Sequence, residues 1–385
     1  MDRRDFMKTS ALAGAALSVG ATPGLSGAED ALVGAQARAA RDAGAPTALR
    51  ILILGGTGFL GPHLVRRAIG RGHTVTTFTR GRTEPKLFGD LFDQVESLVG
   101  DRANDLSALE GREWDAVIDN SGQQVAWTRA SAELLKDRVQ SYMYTSSTGV
   151  YLPYLGDDIT EDTEVDLADD PPREQPSYGV MKALSELEAR RAFGDDRTIV
   201  VRPTYIVGPG DTTDRFPYWP ARLELGGEVL VPGRADDPVQ WIDVRDLTEW
   251  MIHLLETGAS GTFNGVGPAS TMGMHAFIHG AHAALSVPVE WVYADDYDFL
   301  REQRIGAVIP WIMPVGDNFG TARINAERSV ASGLTYRPLA TTVTDILAWW
   351  HSDAVSDERR QNMLSGPRSL IAREAEVIRA WKARG

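Results

Sequence analysis

Tyr178 and Lys182 stand four positions apart, the spacing that brings two side chains onto one face of a helix. An ammonium beside a phenol stabilises phenolate charge, so Tyr178 is a candidate to take or give a proton near neutral pH. Upstream, Ser146-Ser147-Thr148 supplies hydroxyls able to hydrogen-bond a reacting oxygen. Nearer the start, Gly55-Gly56-Thr57-Gly58-Phe59-Leu60-Gly61 carries glycine at 55, 58 and 61. That pattern permits a tight turn, close approach of backbone to a pyrophosphate, and close packing of a following helix whose free N–H groups face the phosphates. Further on, Phe78-Thr79-Arg80-Gly81-Arg82 has two arginines and no carboxylate before Glu84. An acid there would hold the ribose 2′-hydroxyl of NAD, whereas guanidinium groups make charge-assisted bonds to the 2′-phosphate of NADP. Arg80 and Arg82 therefore favour NADP over NAD.

These residues need a scaffold that carries them to one place, and the flanking pattern supplies one. The mostly apolar run 49–54 reads as a strand buried on both faces of a parallel sheet, 62–70 as a helix opened by Pro62, and 74–79 as a second strand. Further strands are expected at 95–99, 115–119, 141–145 and 198–203. The fold class is α/β: a Rossmann-type doubly wound parallel sheet with a smaller C-terminal substrate-binding lobe.

The G-x-x-G-x-x-G spacing, the serine segment and Tyr178-x-x-x-Lys182 together resemble the short-chain dehydrogenase/reductase superfamily, in its extended branch of epimerases, dehydratases and reductases. Most of 49–350 reads onto that branch. The resemblance implies catalytic roles for Ser147, Tyr178 and Lys182, with Thr148 a possible substitute for Ser147. It also implies that Lys182 holds the nicotinamide ribose. Gly55, Thr57, Gly58, Phe59, Leu60 and Gly61 would form the cofactor turn. Asp101, with Arg102 beside it, falls where the branch contacts adenine, and Asn120 and Ser121 fall beside the nicotinamide, although they replace the usual small apolar pair. Nucleotide-sugar epimerases place a diphosphate-binding arginine where this chain has Val239, which argues against a nucleotide-sugar substrate. The aromatic segment 216–222 is a candidate sugar-stacking surface, with core packing as its alternative.

Composition narrows the chemistry. Cysteine is absent from the 385 residues, which removes disulfides, thiolate nucleophiles and Cys-ligated metals. Histidine spacing gives no metal site; His275, His279 and His282 come nearest and read as a helix face. A net charge of −14, from 39 basic and 53 acidic residues, argues against general nucleic-acid binding. No apolar run reaches the eighteen or more residues of a membrane-spanning helix. Arg3, Arg4, Phe6 and Lys8 precede a weakly apolar stretch and small residues ending at Ala28; the order resembles a twin-arginine export signal.

The expected organisation is a signal peptide at 1–28, a flexible linker at 29–47, a mainly NAD(P)-binding domain at 48–207, a mixed region of substrate lobe and sheet completion at 208–350, and a helical tail at 351–385. The expected function is an NAD(P)-dependent epimerase/dehydratase or oxidoreductase acting on a sugar or polyol-like substrate. It would be exported folded through the twin-arginine translocase to the periplasm or another extracytoplasmic place, where scarcity of free cofactor favours a redox-neutral reaction. The resemblance also implies a homodimer. The alternatives are a cytoplasmic NADPH-dependent carbonyl reductase and a non-catalytic nucleotide-sensing or RNA-binding relative of the same fold.

Overall fold

A computed structural model of the protein describes residues 47–384; the signal peptide expected at 1–28 and nearly all of the linker lie outside them. Along the chain run β1 (Arg50–Leu54), α1 (Leu60–Gly70), β2 (Thr74–Thr79), β3 (Glu96–Val99), β4 (Trp114–Asp119), α2 (Val125–Leu135), β5 (Val139–Thr145), α3 (Tyr178–Phe193) and β6 (Thr198–Pro203). Then follow β7 (Ile206–Val207), α4 (Tyr218–Leu223), β8 (Gly227–Pro232), β9 (Pro238–Asp243), α5 (Val244–Glu256), β10 (Gly261–Gly265), β11 (Gly267–Gly273), α6 (Met274–His282) and β12 (Val289–Ala294). The last helices are α7 (Tyr297–Glu302), α8 (Glu327–Ala331), α9 (Leu339–Trp350), α10 (Asp357–Ser365) and α11 (Leu370–Lys382). Among the described residues no helix is long and apolar enough to cross a membrane.

Seven parallel strands form the main sheet in the order β10-β6-β5-β4-β1-β2-β3. The order reverses between β1 and β4, the switch point at which ligands bind in open α/β sheets. Alternating strand residues explain the two helical layers. Ile51 and Ile53 pack with Leu64, Val65 and Trp250 of α1 and α5, while Leu52 and Leu54 pack with Ala132, Leu135 and Phe193 of α2 and α3. Every strand end that matters to chemistry points the same way, because Leu54 pairs in register with Asp119, Asp119 with Tyr144, and Tyr144 with Val200.

The smaller lobe has its own core around Phe216, Trp219, Trp241 and Phe277. Three short sheets flank it, including parallel β8 and β12. The C-terminal segment is built into this lobe: Met363, Val377 and Ile378 join its core. Arg222 of α4 pairs with Glu374 of α11, both buried, and Glu374 also accepts a 2.9 Å bond from the Leu230 amide. Removing one member of a buried pair strands the other, so Glu374→Ala is expected to destabilise the fold by about 3 kcal/mol, measured by denaturant unfolding.

Candidate functional site

A cavity of about 710 Å³ opens above the C-terminal ends of the central strands. A second, of about 360 Å³, adjoins it on the side of β2 and β3. Gly55, Gly58, Asn120 and Gln123 border both, so the glycine turn separates one continuous cleft into two chambers. The turn follows β1 as the sequence predicts, and close approach requires glycine at 55, 56 and 61. Gly55 has φ of +91° and leaves no room for a Cβ, which would come 2.8 Å from the Ser121 Cβ. A Cβ on Gly61 would lie 2.1 Å from the Gly56 carbonyl oxygen, so α1 starts hard against the turn. The N-terminus of α1 then faces the cleft, the geometry that favours a pyrophosphate.

The smaller chamber receives Thr57, Arg80, Arg82, Asp101, Arg102 and Ser121. Arg80 and Arg82 are exposed there, and no carboxylate among the described residues pairs with either. Arg102 is placed differently from a cofactor-facing cation. It is buried, and its guanidinium grips both oxygens of Asp119 and bonds Ser121 Oγ at 3.0 Å, Ser131 Oγ at 2.8 Å and the Trp127 carbonyl at 2.9 Å. Burial alone would push the Asp119 carboxyl up, but Arg102 and a 2.7 Å bond from Tyr142 outweigh it and hold the carboxyl below its usual range. Arg102 thus forms the floor of the chamber, and only its Nε is left buried without a partner. Asn120 shows a similar vacancy of bonding: Oδ1 accepts from Thr145 Oγ1 at 2.7 Å, and its buried Nδ2 has no partner.

The larger chamber is bordered by Phe59, Leu60, Ser147, Tyr178 and Lys182. Tyr178 is the first residue of α3 and is 55 % exposed, with its ring toward Gly149. A Cβ on Gly179 would come 2.3 Å from the Gly149 carbonyl oxygen, so α3 sits directly on the serine segment. Ser147 Oγ accepts a 3.0 Å bond from the Gly149 amide and keeps its own proton available to a ligand. Lys182, one turn into α3, is buried; it donates to the Thr145 carbonyl at 3.0 Å and the Gly122 carbonyl at 3.3 Å. Two of the three ammonium donors are thereby used, and one remains for the cleft. Its Nζ lies 5.8 Å from the centre of the Tyr178 ring.

One turn further, Glu186 was not singled out by the motif, yet it anchors the whole arrangement. It is buried, accepts from Ser146 Oγ, and binds Arg202 of β6 through two bonds of 2.7 and 3.0 Å. Arg202 in turn donates to Tyr151 Oη at 2.8 Å, which donates to Asn264 at 2.8 Å. Only its i+4 spacing from Lys182 pointed to it. The aromatic segment resolves in favour of core packing: Phe216 and Trp219 are wholly buried in the lobe, and the cavity is instead bordered by Tyr154 and Tyr205. His275, His279 and His282 lie against Trp291 and Tyr293 at ring distances of 4.2 to 6.5 Å, as a helix face does.

Residues 51–266 match the profile of the NAD dependent epimerase/dehydratase family. The chain belongs to that family. Among relatives, it is 31 % identical over 218 residues to the chloroplast stem-loop binding protein of 41 kDa b from Arabidopsis thaliana, spanning 54 % of this chain and 55 % of that protein. Two solved structures share the fold. The Bordetella bronchiseptica enzyme WbmH in complex with NAD+ aligns with a TM-score of 0.56 at 15 % identity, covering 80 % of this chain and 100 % of that one. Human epimerase family protein SDR39U1 with NADPH aligns with a TM-score of 0.54 at 21 % identity, covering 78 % and 99 %. Residues 1–20 match the signal sequence of the twin-arginine translocation pathway, which suggests export.

The family's nicotinamide cofactor fits the cleft: Gly58, on the border of both chambers, faces open space with no atom within 4 Å of where a Cβ would stand, and Asn120 Nδ2 lacks an acceptor. Burial pushes the Lys182 ammonium down to about 8, against the opposing pull of the Asp119 and Glu186 carboxylates. Its positive charge is present below that pH and lost as pH rises through it. If the charge assists proton transfer, kcat/KM falls on an alkaline limb near pH 8, and Lys182→Arg, which stays charged, moves that limb upward in a pH–rate profile.

Proposed function

We propose that the protein is an NAD(P)-dependent epimerase/dehydratase-type oxidoreductase in which Tyr178 transfers a proton, Lys182 supplies positive charge beside it and Ser147 hydrogen-bonds the reacting oxygen. The observation that carries this reading is the convergence of Tyr178, Lys182 and Ser147 on the larger chamber, beside the glycine turn. A bound nicotinamide supplies a hydride acceptor and donor. Gly55, Thr57, Gly58, Phe59, Leu60 and Gly61 would hold its pyrophosphate, Arg80 and Arg82 a 2′-phosphate, Asp101 its adenine, and Asn120 and Ser121 the nicotinamide end. Arg102 supports these residues from beneath through Ser121 and Asp119.

The chain's own work is proton management. Tyr178 accepts the proton of a substrate carbinol as the carbon loses hydride, and returns it when the carbonyl is reduced. Ser147 Oγ, oriented by the Gly149 amide, steadies that oxygen throughout. Lys182 stabilises phenolate charge from inside the wall, and its remaining donor would hold the cofactor ribose. Export favours NADP kept through the cycle and a redox-neutral outcome on a sugar or polyol; the apolar ring faces of a sugar suit Tyr154 and Tyr205. The periplasm or another extracytoplasmic compartment is the proposed place of action, and the twin-arginine translocase the proposed route.

The test uses NADP-loaded protein mixed with a panel of sugars and polyols, following the absorbance of reduced nicotinamide and the appearance of epimerised or dehydrated product. A responding substrate is expected, and Tyr178→Phe is expected to lose roughly 10²–10⁴-fold in turnover while binding NADP as the wild type does. Unchanged turnover in Tyr178→Phe would remove Tyr178 from the chemistry. Selective RNA binding by a chain inert toward the panel would instead favour a non-catalytic role.

A further inference from the structure

Beyond the proton-transfer groups, the large cavity carries one cation that the proposed chemistry does not use. Arg215 lies on its wall, exposed, in the loop that follows β7. Its Nε donates to Thr213 Oγ1 at 3.0 Å, and its guanidinium carbon stands 5.1 Å from the centre of the Tyr205 ring. Both contacts fix the plane of the group, and its two terminal nitrogens have no partner among the described residues. A guanidinium held by Nε and an aromatic face presents its outer edge as a two-pronged donor for an oxyanion.

The surrounding charges leave that edge available. Asp211 is buried beside it, and its Oδ1 is taken by the Thr213 amide at 2.8 Å and hydroxyl at 2.6 Å. Arg359, the other cation near Asp211, is committed to Asp214 and to the Asp211 carbonyl. Lys182 spends two of its three donors on the wall and its third is assigned to the cofactor, and Asp166 is the remaining charged group bordering the cavity. A second observation points to a ligand in the same space. Thr321 also borders the cavity, is 7 % exposed, and its Oγ1 has no hydrogen-bond partner.

We infer that Arg215, braced by Thr213 and Tyr205, is a specificity-determining residue that seats a compact oxyanion of the substrate, a carboxylate or a phosphate monoester, in the cavity that holds Tyr178. The inference deepens the proposed function, on which it rests for the identity of the cavity as a substrate site. Val239, where nucleotide-sugar epimerases carry an arginine, is buried in the lobe core, so the anion is not assigned to a bridging diphosphate.

The experiment has two arms, both on the NADP-loaded full chain. In the first, inorganic phosphate is the probe: arginines are labelled with phenylglyoxal, with and without phosphate at constant ionic strength, and quantified by peptide mass spectrometry. Arg215 is expected to label about fivefold more slowly at near-saturating phosphate, while exposed Arg173 is unaffected; equal behaviour of the two overturns the inference. In the second, calorimetry compares D-glucuronate, D-glucose 6-phosphate and D-glucose. One of the anionic sugars is expected to bind about tenfold more tightly than glucose, as for a charged hydrogen bond, and which one does so separates carboxylate from phosphate. Arg215→Gln is expected to erase that advantage without altering NADP affinity. Equal binding of all three sugars by the wild type, or an advantage that survives Arg215→Gln, overturns the inference. Protection by phosphate with no sugar bound keeps the anion site and removes the sugar reading.

Discussion

The buried pair between Glu186 and Arg202 holds the proposed chemistry in place. Tyr178, Lys182 and Glu186 occupy successive turns of one helix face, so fixing the third fixes the register of the first two. Glu186 joins that helix to β6 through Arg202 and to the serine segment through Ser146. Taking two charges out of water is costly, and such a pair is tolerated only when its remaining polar atoms are satisfied. Here Tyr151, Asn264 and the Glu161 carbonyl complete the set. The network resists partial opening because releasing one member leaves others buried and unpaired.

A second constraint is steric and acts at two places. The Gly61 contact with Gly56 draws a helix N-terminus onto the turn, and the Gly179 contact with Gly149 draws another onto the serine segment. Both contacts are backbone against backbone, so where the two helices start does not depend on side-chain rotamers. Between them, Asp119 and Arg102 form a closed ion pair under the cleft floor. The two chambers are therefore shaped by one rigid set of strand ends, and Asn120, Arg215 and Thr321 border them with polar atoms that have no partner among the described residues.

The sheet was legible because its signals are local. Apolar runs at 49–54 and 198–203, the glycine turn, and the Tyr178–Lys182 spacing each depend on residues close in sequence. The strands at 115–119 and 141–145 fall within β4 and β5. What escaped depends on tertiary placement. Nothing adjacent to Glu186 announces Arg202, which reaches it across a helix–strand contact. Arg102 stands next to Asp101, yet a helix and a strand end turn its guanidinium inward. The aromatic segment 216–222 has the composition of a stacking surface, but the lobe buries Phe216 and Trp219 and leaves their neighbour Arg215 on the cavity wall. The polar composition of α10 and α11 hid the few apolar positions by which they dock.

The central claim is that the cleft is built for a nicotinamide cofactor held by the turn after β1. It is tested most directly by purifying the folded chain, denaturing it, and identifying released nucleotide by mass spectrometry, with NADPH and NADH titrations of any empty protein. The account predicts stoichiometric NADP, or tight binding of NADPH in preference to NADH. A chain that releases no nucleotide and binds neither would contradict it.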